Sequence, residues 1–205
     1  MDASIEQLLS EYDARSAEEW RRVEALGPKA YASRDEMLLS VGRSTGQLLN
    51  LLAHEAKARS ILELGTSYGY SAVWLAEAAR ANGGKVVTLE LAENKSRYAR
   101  EKLASVGLDS YVDFRVGDAL QLLDTLSGPF DFVLVDLWKD LYIPCLDRFM
   151  ATLAPGAVVV ADNMLFPEHS REDAAAYRRR VRESGRFDTV LLPVGSGIEL
   201  SRLRS

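Results

Sequence analysis

The chain has 205 residues, near the upper end of a single domain and enough to bury one sizeable core. A hydrophobic share of 47% with 27% charged residues belongs to an ordinary soluble globular protein. The formal net charge of -5 argues against a sequence-independent grip on nucleic acid, which needs clustered Lys and Arg facing phosphate.

The N-terminus, MDASIEQLLSEYDARSAEEW, is acidic and amphipathic. It has neither a basic n-region nor a long apolar run, so a secretory signal is not expected. Ile5, Leu8, Leu9 and Tyr12 recur at helical spacing. Leu38, Leu39, Leu48, Leu49, Leu51 and Leu52 mark a later helix, after a looser stretch around Gly27-Pro28.

From residue 60 the texture changes to short apolar runs alternating with amphipathic helices. Strands are predicted at 60–64, 85–90, 111–116, 130–136 and 156–162. Helices are predicted over 71–81, over AENKSRYAREKLASVG closed by Gly107, briefly through Leu120 and Leu123, after 136 as far as Leu153, and over REDAAAYRRRVRES. FDTVLLP and GIELSRL form a terminal hairpin around Gly195-Ser196-Gly197. The whole chain is expected to be one domain, with helices over 1–58 and the alternating core over 59–205. No stretch approaches the roughly 20 apolar residues of a membrane span. Cys145, the only cysteine, excludes an internal disulfide and fits a reducing compartment. A cytoplasmic location with no membrane partner is the expectation.

Strand–helix alternation with β-branched strands predicts an α/β fold, a mostly parallel sheet covered by helices on both faces. Ligands then bind beyond the carboxyl ends of the strands. After the first strand comes Glu63-Leu64-Gly65-Thr66-Ser67-Tyr68-Gly69-Tyr70-Ser71, a turn whose glycines let backbone approach a ligand. Its G-x-x-x-G spacing is not the G-x-G-x-x-G of dinucleotide enzymes, which counts against an NAD-dependent oxidoreductase. Glu90 ends the second strand, where an acid can accept both hydroxyls of a ribose or simply stand solvated. Following Gly65 and Gly69 at this topological distance, it points to a nucleoside ligand.

Asp136 and then Asp162-Asn163 follow two later strands. Each alone could cap a helix. Together they form a hard oxygen set suited to Mg²⁺, since carboxylates crowded without a cation repel each other. Lys139, one helical turn from Asp136, could serve as a general base beside such a cation, or be a surface lysine paired with Asp140. Trp138 could be core, or could stack on an adenine ring.

The motifs ELGTSYGYSAVWLA, VVTLE, VGDA, VDLWKDLY, VVVADNML and the late GIE resemble, in combination, the catechol O-methyltransferase group. That group lies within the cation-dependent class I S-adenosylmethionine O-methyltransferases, alongside the caffeoyl-CoA enzymes. The likeness runs from about Val41-Gly42 to the C-terminus and implies a Rossmann-like seven-stranded sheet whose last strand is antiparallel. It implies that Val41, Glu63, Gly65, Ser67, Tyr70, Ser71, Glu90, Leu91, Asp118, Ala119, Asp136 and Trp138 surround S-adenosylmethionine. It also implies that Asp136, Asp162 and Asn163 ligate Mg²⁺, that Lys139 is the catalytic base, and that Glu199 hydrogen-bonds the substrate's second hydroxyl.

The expected reaction is methyl transfer to one hydroxyl of a small catechol-like diol. The alternatives are a bulky caffeoyl-CoA-like acceptor and a non-catalytic S-adenosylmethionine-binding module. Bacterial relatives often dimerise, so the resemblance also implies a homodimer. Three positions depart from the family. Met37 or Leu38 stands where the catechol enzymes place an aromatic gatekeeper, and Leu137 replaces a histidine. The segment from Glu168 to Arg182 is shorter, while Pro167 keeps the other pocket wall.

Overall fold

A computed structural model of the chain describes residues 1–26 and 36–204, the side chain of Leu26 excepted. The stretch around Gly27-Pro28 lies outside the described residues. In chain order the elements are α1 (Ala3–Leu26), α2 (Arg43–Glu55), β1 (Ser60–Leu64), α3 (Tyr70–Asn82), β2 (Lys85–Glu90), α4 (Glu93–Ala104) and β3 (Val112–Val116). There follow α5 (Ala119–Leu123), β4 (Phe130–Val135), α6 (Tyr142–Phe149), β5 (Leu153–Ala161), α7 (Arg171–Glu183), β6 (Phe187–Leu192) and β7 (Ile198–Leu203).

The seven strands form one sheet in the order β3-β2-β1-β4-β5-β7-β6. Strands β1 to β5 pair in parallel, and β7 runs antiparallel between β5 and β6. The alternating α/β fold expected from the sequence is therefore the fold observed, terminal hairpin included. Alternation along each strand divides the core into two layers. Ile61, Phe132, Leu134 and Val160 face one side, packed against residues of α1 to α4 that include Ile5, Leu9, Leu49 and Leu75. Leu62, Leu64, Val133, Val135 and Val159 face the other, against Leu123, Leu146, Phe149 and Tyr177 of α5, α6 and α7. Chain order reverses between β1 and β4, where the polar loops gather.

Three boundaries differ from the sequence reading, each for a local reason. Leu38 and Leu39 precede α2 rather than belong to it, because Gly42, with φ 81°, starts that helix. Leu39 itself has φ 46°, a costly backbone state for a branched side chain. The helix expected after 136 is broken into a 3-10 turn at Lys139–Leu141, α6, and a second 3-10 turn at Met150–Thr152. Leu153 already belongs to β5, which starts before Gly156 and carries a register shift opposite Phe130 and Phe132. Pro155 and a left-handed Gly156 conceal that start in the sequence.

Gly65 is fixed by close approach. Its φ of 101° and its position against the backbone carbonyl of Asp136 leave no room for a Cβ. Gly65→Ala should therefore cost about 2–4 kcal/mol, read as a fall of about 5–15 °C in Tm. An unchanged Tm would mean that the β1 turn and the end of β4 are not tightly apposed.

Candidate active site at the carboxyl edge of the sheet

The parallel ladder places the acidic residues. The Asp136 amide donates to the Leu64 carbonyl (2.9 Å), and the Asp162 amide donates to Val135 (3.1 Å). Because Val135 pairs with Ala161, the next residues of β4 and β5 emerge side by side. Asp162 is buried, and neither of its carboxylate oxygens has a hydrogen-bond partner among the described residues. Burial and then the charge of Asp136 push its carboxyl well above the usual range. Burial also raises Asp136, against the pull of Lys139. Asn163 follows with φ 56°.

Lys139 lies over the same spot. Its Nζ donates to the Tyr142 hydroxyl (2.5 Å) and to Asn163 Oδ1 (3.4 Å), and it sits 3.7 Å from the Tyr142 ring centroid. The Tyr142 hydroxyl in turn donates to the Asp162 carbonyl (3.2 Å). Burial lowers the lysine to about 8, opposed by Asp136 and Asp162. Tyr142 was not singled out from the sequence, although its spacing of three from Lys139 in VDLWKDLY was a usable signal. Among the described residues no group of three His, Cys, Asp or Glu side chains is gathered to hold a metal. The donor set here is two carboxylates and one amide oxygen.

Around the first turn, Glu63 is fully buried. The Thr88 hydroxyl donates to one of its oxygens and is itself paired with Thr66, while its other oxygen is unpartnered. Burial pushes Glu63 up to about 7, with Thr88 and Ser71 opposing. Ser67, at φ 46°, donates its amide to Glu90 Oε2 (2.7 Å), and Glu90 Oε1 accepts from the Ala92 amide (2.9 Å). These bonds hold the acid at the mouth of the turn. Leu91 stands exposed beside it. Asp118 caps α5 by accepting from the Gln121 amide (3.0 Å), with buried Ala119 next to it. Val41 is buried just before the N-terminus of α2, and Trp138 is half exposed ahead of Lys139.

Two of the named residues have side-chain partners within the protein that the sequence did not indicate. The Tyr70 hydroxyl donates to Asp13 (2.7 Å), so it ties α3 to α1. Glu199 pairs with Ala161 in the sheet, but its side chain has 0% exposure. Its carboxylate accepts from Arg178 Nε (2.8 Å), Arg182 (2.8 Å) and Thr189 Oγ1 (2.6 Å). The expected substrate contact is thus an internal ion cluster joining α7 to the terminal hairpin. The two arginines that capture it lie in α7, and nothing in GIE reveals them.

An open cavity of about 650 Å³ lies elsewhere, at the amino ends of β1 and β2, lined by Arg59, Ser60, Gly83, Gly84, Lys85, Ser110 and Tyr111. It contains no acid. Among the described residues no helix is long and apolar enough to cross a membrane.

The O-methyltransferase family model matches residues 12–204. A catechol O-methyltransferase of Niastella koreensis is 36% identical over 151 residues, covering 69% of this chain and 68% of that protein. Caffeoyl-CoA O-methyltransferase 1 of Eucalyptus globulus is 26% identical over 185 residues, covering 80% of this chain and 75% of that one. Among solved structures, the O-methyltransferase of Bacillus cereus in complex with SAH superposes with a TM-score of 0.78 at 26% identity, over 100% of this chain and 92% of that one. With the family model spanning nearly its whole length, the chain belongs to the O-methyltransferase family.

Proposed function

We propose that this chain is an S-adenosylmethionine-dependent O-methyltransferase that methylates one hydroxyl of a catechol-like vicinal diol, aided by a divalent cation at Asp136, Asp162 and Asn163. The observation that carries the proposal is the buried Asp162 carboxylate, unpartnered at both oxygens and crowded by Asp136. Such a group is costly unless protonated or met by a cation. Lys139 is held by Tyr142 and Asn163, so a hard cation beside these oxygens is the fitting counter-charge. A Mg²⁺ there would supply positive charge that favours a phenolate, and a fixed point for two neighbouring oxygens. The donor is a sulfonium: the new O–CH₃ bond forms as the S–CH₃ bond breaks, and the sulfur keeps the electron pair.

The chain's own part is orientation and proton removal. A lysine lowered to about 8 is neutral in a useful fraction near neutral pH, so its Nζ can take the hydroxyl proton. Tyr142 fixes that nitrogen through its hydroxyl and ring face. Glu90, anchored on the amides of Ser67 and Ala92, keeps lone pairs for a ribose, while Glu63 and the left-handed turn line the methionine end. SAH is the demethylated product of such a donor, and its presence in the Bacillus cereus relative supports this reading. Catechol as acceptor is supported by the Niastella koreensis relative. A caffeoyl-CoA-like acceptor, which also carries a vicinal diol, is the second reading, supported by the Eucalyptus globulus relative. Rates on free catechols against CoA esters separate the two.

Excess EDTA should abolish methyl transfer to a catechol, and undiminished turnover would remove the cation from the mechanism. Lys139→Ala should lower kcat by about 10²–10⁴ while SAH affinity stays within about twofold. Turnover near that of the unaltered protein would exclude Lys139 as base.

The raised carboxyls also give a signed pH effect. A folded-state value above the unfolded one stabilises below the usual carboxylate range and is lost as pH rises through the raised value. Mg²⁺ at about 100 times its Kd adds about 2.7 kcal/mol, or about 5–10 °C in Tm. That gain should be larger at pH 8 than at pH 5.5, measured by thermal unfolding. An equal gain at both would place the cation elsewhere.

Glu199→Gln leaves two partly exposed arginines short of a counter-charge and should cost about 1–3 kcal/mol of stability, with KM for a diol unchanged. A raised KM at unchanged Tm would restore Glu199 as a substrate contact.

A further inference from the structure

Helix α1 lies along the rim of the candidate site, and one face of it does three jobs in succession. Near its middle, the Tyr12 hydroxyl donates to the Tyr68 carbonyl (2.6 Å), and Asp13 accepts from Tyr70 (2.7 Å) and from Arg43 Nε (2.6 Å). One turn on, Arg15 stacks over the Tyr68 ring at 4.3 Å and donates to Glu19 (2.8 Å) and the Glu36 carbonyl (3.0 Å). Ser16 meets Ser40 (3.1 Å), and Glu19 accepts the Leu38 amide (2.7 Å). Beyond these contacts, Trp20 meets Phe166 with ring centroids 6.4 Å apart and planes at 57°.

Phe166 belongs to the loop that begins at Asn163. Its amide and that of Leu165 donate to the Ser196 carbonyl, and the Met164 amide donates to Gly197. The wall formed by this loop and α1 is therefore fixed on both sides, three residues from an oxygen of the candidate cation site. Trp20 is 40% exposed and Phe166 49%, with Leu39 and Leu165 also more than a third exposed. Scattered exposed apolar residues need no explanation. Several on one rim beside a polar site do. Among the described residues just before Val41-Gly42, Met37 is buried with Val23, and Leu38 is buried as well.

We propose that Trp20 of α1, paired with Phe166, is the aromatic wall against which the acceptor's ring packs, so that the N-terminal helix sets acceptor selectivity. The occupant is the aromatic ring of the diol, whose oxygens reach Lys139 and Asn163 while its face meets the two exposed rings. This inference rests on the diol reading above. Offset or tilted ring pairs prefer such geometry, and a wall held by so many bonds needs no ordering on binding. The same helix holds the Tyr68-Gly69-Tyr70 turn, so wall and donor turn are positioned as one body.

The test uses the full chain with Mg²⁺ and SAH, and 4-nitrocatechol as the probe, followed by its absorbance change. Trp20→Ala and Phe166→Ala should each weaken probe binding by about tenfold, while Trp20→Phe stays within about threefold. SAH affinity, measured by calorimetry, should stay within about twofold in all three. Because the ring contact is made in ground and transition states alike, the loss should appear in KM for 3,4-dihydroxybenzoate rather than in kcat. Should Trp20→Ala fold poorly, Trp20→Leu keeps apolar bulk without a ring face and should show the same loss. Probe binding by Trp20→Ala or Trp20→Leu within about twofold of the unaltered protein would overturn the wall and leave the diol reading standing. An unaltered protein that binds SAH but no 4-nitrocatechol would defeat the diol reading, and the wall with it.

Discussion

Two carboxylates emerge next to each other because two parallel strands end in register. Val135 pairs with Ala161, so Asp136 and Asp162 have no freedom to separate without breaking the ladder that their own amides extend. Mutual repulsion in a partly dry place favours either protonation or a counter-charge. Lys139 supplies part of that charge but is itself penalised by burial. The arrangement is therefore poised: each group's ordinary charge state depends on its neighbours, and a dication would relieve both acids while freeing the lysine of its proton. Structural frustration of this kind is what a site of acid–base chemistry needs, and it is uncommon in a core that serves packing alone.

The same edge shows where backbone strain collects. Leu39, Ser67 and Asn163 adopt left-handed conformations without being glycine, and all three border the site. Ser67 is held by Glu90 and by its own hydroxyl on the carbonyl of Leu38 (3.2 Å), the residue before the strained Leu39. Such states cost of order 1–3 kcal/mol each, and they persist here because several hydrogen bonds over-determine them. Gly65 is a different case: it relieves a collision with Asp136, so the β1 turn and the acid at the end of β4 can share one small space.

Much of the fold was legible because a parallel sheet writes a plain pattern. Buried strands such as SILEL and FDFVLV are short apolar runs between helical repeats, and topology then puts whatever follows them at one edge. Asp136, Lys139, Asp162 and Asn163 were found by that rule, and the structure gathers them at that edge. The rule fails where the partner is remote in sequence. Glu199 looks like a free acid in a short motif, yet its neighbours are Arg178 and Arg182, on a helix it meets only after the terminal hairpin folds back. The bond of Tyr70 to Asp13 is equally hidden in the sequence, since the two are 57 residues apart. Leu38 and Leu39 fit a helical pattern, but Gly42 and the demands of the rim override it.

Glu199's capture also changes what selects the acceptor. A carboxylate aimed at the second hydroxyl would discriminate diols from monophenols, because a missing partner leaves a buried charge unsatisfied. Bound to two arginines and a threonine and fully buried, it instead pins α7 to β6 and β7. On the proposed reading, recognition of two adjacent oxygens would fall to the acidic pair and a cation held there, which would distinguish chelating from non-chelating acceptors but say little about the rest of the molecule. The remainder is left to shape, and shape at this rim comes from α1 and the loop after Asn163. On the proposed reading, selectivity for the ring would be carried by α1 and this loop, while the chemistry would be carried by the strand ends.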